Sequence, residues 1–351
     1  MIKTVLKSTS LCAVALCLAG QAIAAEPARI ERKDAQSAVL ILEDAAPATI
    51  WLSRDRILDR HDTLVARKST AQRVALSLPA SQRDYVIVQR GKGAPLVVAE
   101  RVLPLEQGSN FRDVGGYITK DGKVVRWGQA FRSGAMPMLT DADYALLGQL
   151  DIGSVLDLRS LEEREVAPDL LDDRTGALFL SNDYSMKPLF AKMAAGNGEN
   201  TYAGIEELLV PQFRTLFKRL LADEGAIVYH CSAGQDRTGV ATALLYDVLG
   251  VDRETILADY HRSTALRRVE FEMPPINPAD YPHNPMVQYY AASRAKGPAK
   301  AEPLYTPSGQ SHLAQFFAYL DRQYGGSEGY LRQKLGFTDA DLEKLRTRML
   351  Q

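Results

Sequence analysis

Cysteine is scarce in this chain, with three in 351 residues. Two of them, Cys12 and Cys17, fall in an N-terminal stretch that does not read as folded structure. Lys3 and Lys7 give that stretch a positive start, Leu11 to Leu18 an apolar centre, and Ala22-Ile23-Ala24 a small-residue cleavage site. Each of the two cysteines follows a leucine rather than a small residue, which argues against a lipid-anchored leader. The apolar run is also too short to span a bilayer. Residues 1–24 therefore read as a secretory signal peptide. The mature chain is expected to be periplasmic or secreted, with no transmembrane segment. It keeps one cysteine, Cys231, and an exported chain with a single thiol closes no internal disulfide.

Charge of one sign is also missing. Lys and Arg number 42, Asp and Glu 43, and the formal net charge is −1. Nothing here suggests a nucleic-acid partner or an anionic membrane surface. Histidines number five, and no His/Cys/Asp/Glu group has ligand spacing, so no metal and no other cofactor is expected. The remaining composition is ordinary, 46% hydrophobic and 24% charged. The length allows two domains, each with a core of its own.

The most informative stretch is Ala226 to Gly239, AIVYHCSAGQDRTG. Ile227, Val228 and Tyr229 form a buried-strand run, and an apolar-periodic helix follows Thr238-Gly239. A strand that turns tightly into a helix aims backbone N–H groups and the positive end of the helix dipole at one spot, a ready anion site. Gly234 lets the loop fold inward where a Cβ would crowd a ligand. Arg237 adds a planar fork matched to two phosphate oxygens. Cys231 lies at the base of this cradle, where positive potential favours a thiolate.

These residues resemble the phosphate loop of the Cys-dependent protein tyrosine phosphatases: His-Cys, five residues, Arg, then Ser or Thr. The S-A-G-x-D-R-T-G form is most similar to the bacterial tyrosine phosphatases that include secreted dual-specificity and lipid-active enzymes. Three further stretches share the resemblance. They are Asn110–Gly116 (NFRDVGG), Phe131–Gly134 (FRSG) and the tail from Gly329 (GYLRQKLGFTDADLEKLR). The similarity covers about two-thirds of the chain, from Asn110 onward. Rhodaneses and arsenate reductases also carry a Cys-to-Arg loop, but not NFRDVGG with HCSAGQDRTG.

Upstream of that region the pattern is all-β. Val39–Leu42, Thr49–Leu52, Val74–Leu78, Tyr85–Gln89 and Leu96–Val102 are short β-branched or alternating runs separated by turn residues. They suit a small immunoglobulin- or fibronectin-like sandwich, in which Tyr85 is either a tyrosine corner or plain strand packing. Downstream, strands at Ile152–Leu158, Ala177–Leu180 and Ala226–His230 alternate with helices, which predicts a largely parallel sheet. Asp121-Gly122 marks a hairpin turn, Thr140 and Thr338 open helices, and Pro211 should kink or divide a helix over Tyr202–Asp223. Lys187–Thr201 reads either as a mobile lid or as an ordinary loop, and Glu272–Pro303 either as loops wrapping the domain or as part of the site rim. The fold expected is α/β: a tyrosine-phosphatase-like sheet flanked by helices and preceded by a small β-sandwich. Its segments are a signal over 1–24, the sandwich over 25–104 and the catalytic domain over 105–351.

The chemistry follows from the loop. Cys231 attacks phosphorus, and Arg237 with the N–H groups of Ser232, Ala233, Gly234, Gln235, Asp236 and Arg237 holds the equatorial oxygens. His230 orients the loop, and the Thr238 hydroxyl is placed to stabilise the departing thiolate. The general acid is either Asp236, which the resemblance to in-loop aspartates favours, or Asp183 after a strand. Arg132 either helps hold the loop or substrate or serves structure. Where the family commonly has Lys, this chain has the neutral Gln235, which points to singly phosphorylated targets. The expected partner is a phosphorylated protein or peptide, with a phosphoinositide as the alternative and a phosphate-binding adaptor as a third reading.

Overall fold

A computed structural model of the chain describes residues 26–187, 202, 204–295, 297 and 299–351. The leader, and all but the first residue of the stretch read as a lid, lie outside the described residues. The first seven strands are β1 (Ala28–Arg32), β2 (Ser37–Leu42), β3 (Ala48–Ser53), β4 (Thr63–Ser69), β5 (Arg73–Ser77), β6 (Tyr85–Gln89) and β7 (Leu96–Ala99). They form two antiparallel sheets, ordered β1-β2-β5 and β4-β3-β6-β7. Alternate side chains of each sheet point into one core of Ala38, Leu40, Leu42, Ile50, Val86, Val88 and Val98. β1 and β4 escape the sequence pattern because charges fill them. ARIER and TLVARKS hold too few apolar residues to stand out, and β4 is an edge strand with its Arg67 and Lys68 turned to water. Tyr85 packs with Val97, Ala99 and Trp127, the plain-packing alternative.

The second part is built on a five-stranded sheet of order β11-β10-β12-β9-β8. Its strands are β8 (Arg112–Asp113), β9 (Ala130–Ser133), β10 (Ile152–Asp157), β11 (Leu178–Ser181) and β12 (Ala226–His230). All neighbours run parallel except β8, which lies antiparallel to β9. β12 is buried along its whole length and serves two cores at once. Ile227 and Tyr229 point to one, Ala226 and Val228 to the other. This is why the strand reads as a continuous apolar run rather than an alternating one.

On the Val228 face lie α1 (Asp141–Leu147) and α3 (Leu171–Thr175), which supply Tyr144, Leu147 and Leu171 to the core, while α2 (Leu161–Val166) carries Glu163 to the phosphate loop. On the Tyr229 face lie α4 (Val210–Ala222) and α5 (Arg237–Leu249), with α6 (Arg253–Leu266), α8 (His312–Tyr324) and α9 (Asp339–Met349) packed around them. Thr140 and Thr338 close full capping boxes with Asp143 and Asp341. Pro211 divides its helix, since a single turn at Ile205–Leu208 ends and α4 begins with the proline in its first turn. Every residue of α5 but Asp247 is buried, so α5 is the central helix. α7 (Pro285–Arg294) stands where a helix was not expected, as do α3 and a single turn at Ser327–Tyr330.

The two parts are locked together at the NFRDVGG segment. Arg83, from the turn before β6, makes a buried ion pair with Asp113, which also accepts from the N–H groups of Gly115 and Gly128. Arg101 donates to the Asp113 carbonyl and to Glu26, and its guanidinium lies over the rings of Tyr117 and Trp127. Gly116 has φ +91, and a Cβ there would strike the Trp127 ring at 2.1 Å, so only glycine fits.

Candidate active site

The loop from Cys231 to Asp236 leaves the carboxyl end of β12 and enters α5. Its carbonyls are tied down from behind. Asn110 Nδ2 donates to Ala233 O (3.1 Å) and Gly234 O (3.0 Å), Arg132 donates to Gly234 O (2.8 Å), and the Ala135 N–H donates to Ser232 O (2.9 Å). Gly234 has φ +66, and a Cβ there would lie 2.6 Å from Ser133 O. Among the described residues, none of the backbone N–H groups of Ser232 to Asp236 donates to a protein acceptor. With the carbonyls held back, those donors form a nest for an anion.

The bracing has its own foundation. Asp259, fully buried on α6, receives Arg112 Nε (3.2 Å), Arg132 (2.9 Å) and Tyr117 Oη (3.0 Å). Burial alone would raise its carboxyl, but Arg112, Arg132 and Arg101 together hold it well below the usual carboxylate range. Arg132 thus proves to be a brace for the loop.

Cys231 sits at the base of the nest, 1% exposed and unpaired. Arg237 opens α5, and its guanidinium is gripped along one edge. One terminal nitrogen is 2.7 Å from Glu163 Oε2 and 2.8 Å from Tyr184 Oη; the other is 2.6 Å from Glu163 Oε1. A guanidinium has five N–H groups in a fixed fork. With Glu163 on its terminal edge, the Nε edge is left without a partner among the described residues, ready for two phosphate oxygens.

Glu163 also accepts from Ser232 Oγ and from the Ser160 N–H, as the third residue of the α2 capping box. Burial would push its carboxyl up, but Arg237, Ser232 and the Ser160 N–H bring it down to about 2. Sequence reasoning missed Glu163 as a site residue. The capping box Ser160-x-x-Glu163 was its one visible signal.

The remaining expected residues take varied positions. Thr238 is buried, and its hydroxyl has no partner among the described residues. His230 is buried, with Nδ1 3.3 Å from Cys231 O. Its Nε2 lies 2.8 Å from Asp169 Oδ2. Asp236 accepts from Tyr202 Oη at 2.7 Å. Asp183 has a side chain 67% exposed and paired with Arg164, while the next residue, Tyr184, reaches Arg237. Asp183 follows β11, the edge strand, and β10 stands between β11 and β12.

Beside Ser232 and Ala233 opens a cleft of about 380 Å³ lined by Arg267, Glu272, Tyr289, Tyr290, Arg294 and Lys300. Larger clefts of about 690 and 640 Å³ lie at the junction with the sandwich, and neither is lined by a residue of the phosphate loop.

The family model described as "Tyrosine phosphatase family" matches residues 103–351, most of the chain. The chain belongs to the tyrosine phosphatase family. This phosphatase is 31% identical over 234 residues to the tyrosine-protein phosphatase of Nostoc commune, covering 63% of this chain and 74% of that one. It is 27% identical over 289 residues to the triple specificity protein phosphatase PtpB of Mycobacterium tuberculosis, covering 68% of this chain and 95% of that one. Among solved structures, the core catalytic domain of the PP-IP phosphatase SIW14 from S. cerevisiae matches with TM-score 0.29 at 16% identity. That match covers 57% of this chain and 99% of that one, a likeness too slight to argue from.

In this phosphatase Gln235 does not face a substrate as a free neutral amide. It is 2% exposed, donates toward Thr264 Oγ1 (3.2 Å) and accepts from Arg267, itself doubly bonded to Glu272. The neutral residue at the loop therefore holds a cation beside the cleft.

Glu163 gives the phosphatase a measurable acid signature. Glu163→Gln is expected to lower kcat by about 10- to 100-fold, the equivalent of one charge-assisted hydrogen bond. Because the folded carboxyl titrates near 2 rather than 4.5, the native pair adds stability above pH 4.5 that is lost as pH falls toward 2. The gap in stability between parent and variant should accordingly be widest at neutral pH and close over that window. Denaturant titrations at a series of pH values would read it, and a gap independent of pH would refute the assignment.

Proposed function

We propose that the protein is an exported phosphatase that hydrolyses phosphotyrosine monoesters, with phosphoserine and phosphothreonine as further targets, through a cysteinyl-phosphate. The observation that carries this reading is the pairing of a buried Cys231 with an Arg237 whose Nε edge is left open. In the first step sulfur bonds to phosphorus as the P–O bond to the leaving group breaks, and Asp236 protonates the leaving oxygen. In the second step water attacks phosphorus, sulfur departs as thiolate with the Thr238 hydroxyl beside it, and Asp236 takes up the water proton. The loop N–H groups and Arg237 carry the equatorial charge throughout, the dominant contribution in phosphoryl transfer. Asp236 is favoured over Asp183 because the Asp183 carboxylate is committed to Arg164 on the outer surface. Export rests on the signal-like residues 1–24, and the sandwich over 25–104 is read as a docking or bracing unit for the catalytic part.

A phosphoinositide substrate is the second reading, favoured by Arg267, Arg294 and Lys300 around the cleft. The deciding measurement is the ratio of kcat/KM for a phosphotyrosine peptide and for a soluble phosphoinositide, with Cys231→Ser as the inactive control. A ratio well above about a hundred in favour of the peptide, beyond what one contact usually produces, supports the tyrosine reading. The inverse ratio assigns the enzyme to lipids.

A further inference from the structure

Asp236 occupies the N-cap position of α5, where an aspartate ordinarily bonds back to the N–H groups of the first turn. Its side chain makes no such bond. The carboxylate instead reaches Tyr202, whose hydroxyl lies 2.7 Å from Asp236 Oδ1 and 2.5 Å from the hydroxyl of Tyr260. A local stabilising role has been given up for a longer contact, and that contact fixes where Oδ1 points.

We infer that Tyr202 and Tyr260 are positioning residues for the leaving-group acid, a hydroxyl chain that leaves the acidic proton on Asp236 Oδ2 and stabilises the carboxylate after transfer. The inference rests on the reading of Asp236 as general acid. An ionised carboxylate only accepts, so Tyr202 must donate to Oδ1, and Tyr260 must then donate to Tyr202. The chain runs one way, toward the acid. When Asp236 is protonated, Oδ1 is already occupied as an acceptor. The proton therefore resides on Oδ2, which has no partner among the described residues. In the first step the S–P bond forms and the P–O bond breaks. The Oδ2 proton passes to the leaving oxygen, and the new negative charge falls on a carboxylate that Tyr202 already grips. In the second step the water proton returns to Oδ2.

The two tyrosines are fixed for this work. Tyr202 is buried, edge-on to Tyr260 with ring centroids 6.4 Å apart and edge-on to Phe316 at 6.5 Å. Tyr260 comes from α6 and closes over Gly239, where an added Cβ would stand 3.0 Å from its ring. Burial first, and the nearby Asp236 charge second, push both phenols far above their ordinary value, so both remain neutral donors wherever the enzyme works.

The test is a leaving-group series, because a departing oxygen that is already stable as an anion needs little help from an acid. For Tyr202→Phe, kcat/KM on phenyl phosphate should fall about tenfold, while on 4-nitrophenyl phosphate it should fall by less than about threefold, one charge-linked hydrogen bond being at stake. Asp236→Asn should show the same selectivity with a larger loss. The double variant should be no worse than Asp236→Asn alone, since the tyrosine acts only through the acid. Tyr260→Phe, which leaves the direct contact in place, should show a weaker form of the same pattern. Equal losses on both esters in Tyr202→Phe, with selectivity kept in Asp236→Asn, would overturn the tyrosine inference alone. A flat response in Asp236→Asn would overturn the acid assignment and the inference with it.

Discussion

Serine in place of Cys231 is expected to lower turnover by about four orders of magnitude or more, the loss seen when a covalent nucleophile is removed from a site that acts as a unit. A serine hydroxyl is not ionised at neutral pH, and in the first step Asp236 is protonated for the leaving oxygen and cannot activate it. His230, the nearest candidate, has its Nδ1 at the Cys231 carbonyl and its Nε2 turned to Asp169. The anion nest should survive the exchange. Its donors come from the backbone of 232 to 236, and its carbonyls are braced by Asn110, Arg132 and Ala135 rather than by the sulfur. Inorganic phosphate should therefore still raise the thermal midpoint of Cys231→Ser as it does for the parent. Turnover within about tenfold of the parent would exclude Cys231 as nucleophile.

The largest loss of stability is expected at Asp259, far from any contact with substrate. Asp259→Ala would leave Arg112 and Arg132 buried side by side with no carboxylate between them. Uncovering a buried partner in this way costs about 3–5 kcal/mol. The native carboxyl is held well below its ordinary value, so its contribution is fully present above the usual carboxylate range, starts to shrink within that range and is gone only once pH has fallen through the depressed folded value. Denaturant midpoints at neutral pH and near pH 3 would show a large difference that has only begun to narrow at the lower pH. Asp259→Asn, which keeps hydrogen-bonding atoms but no charge, should lie between. An alanine variant as stable as the parent would mean that the two guanidinium groups are satisfied by carbonyls alone.

Much of the catalytic layout could be read from the chain because its signals are local. The strand 226–230, the helix 237–249 and its glycine stop at Gly250 lie where apolar runs and punctuation put them. His312–Tyr324 is likewise bounded by its apolar period and Gly325. The identity of the loop needs only Cys231, Gly234 and Arg237 in register. What escaped was set by distant neighbours. β1 and β4 are held by pairing rather than by apolar content, and α7 hides among prolines. Tyr202 read as the start of a long helix, and nothing in its surroundings announces a bond to Asp236 across 34 residues. Gln235 shows the limit most clearly. Its side-chain chemistry was legible, but its direction was not, because Thr264 and Arg267 decide it.

The ion pair between Arg83 and Asp113 bears on how this chain can be cut and recombined. The stretch that the family model matches starts at residue 103, yet the carboxylate of Asp113 inside it is neutralised by Arg83, twenty residues before that start. Burial pushes Asp113 upward, and Arg83 is the first influence opposing it. A fragment begun at the boundary of similarity would carry a sealed acid without its counter-charge, directly behind Arg112 and Asn110, which steady the phosphate loop. A chimera with a different N-terminal module would inherit the same defect unless the donor supplied a guanidinium at that point. The unit that can be exchanged is therefore longer than the unit that can be recognised.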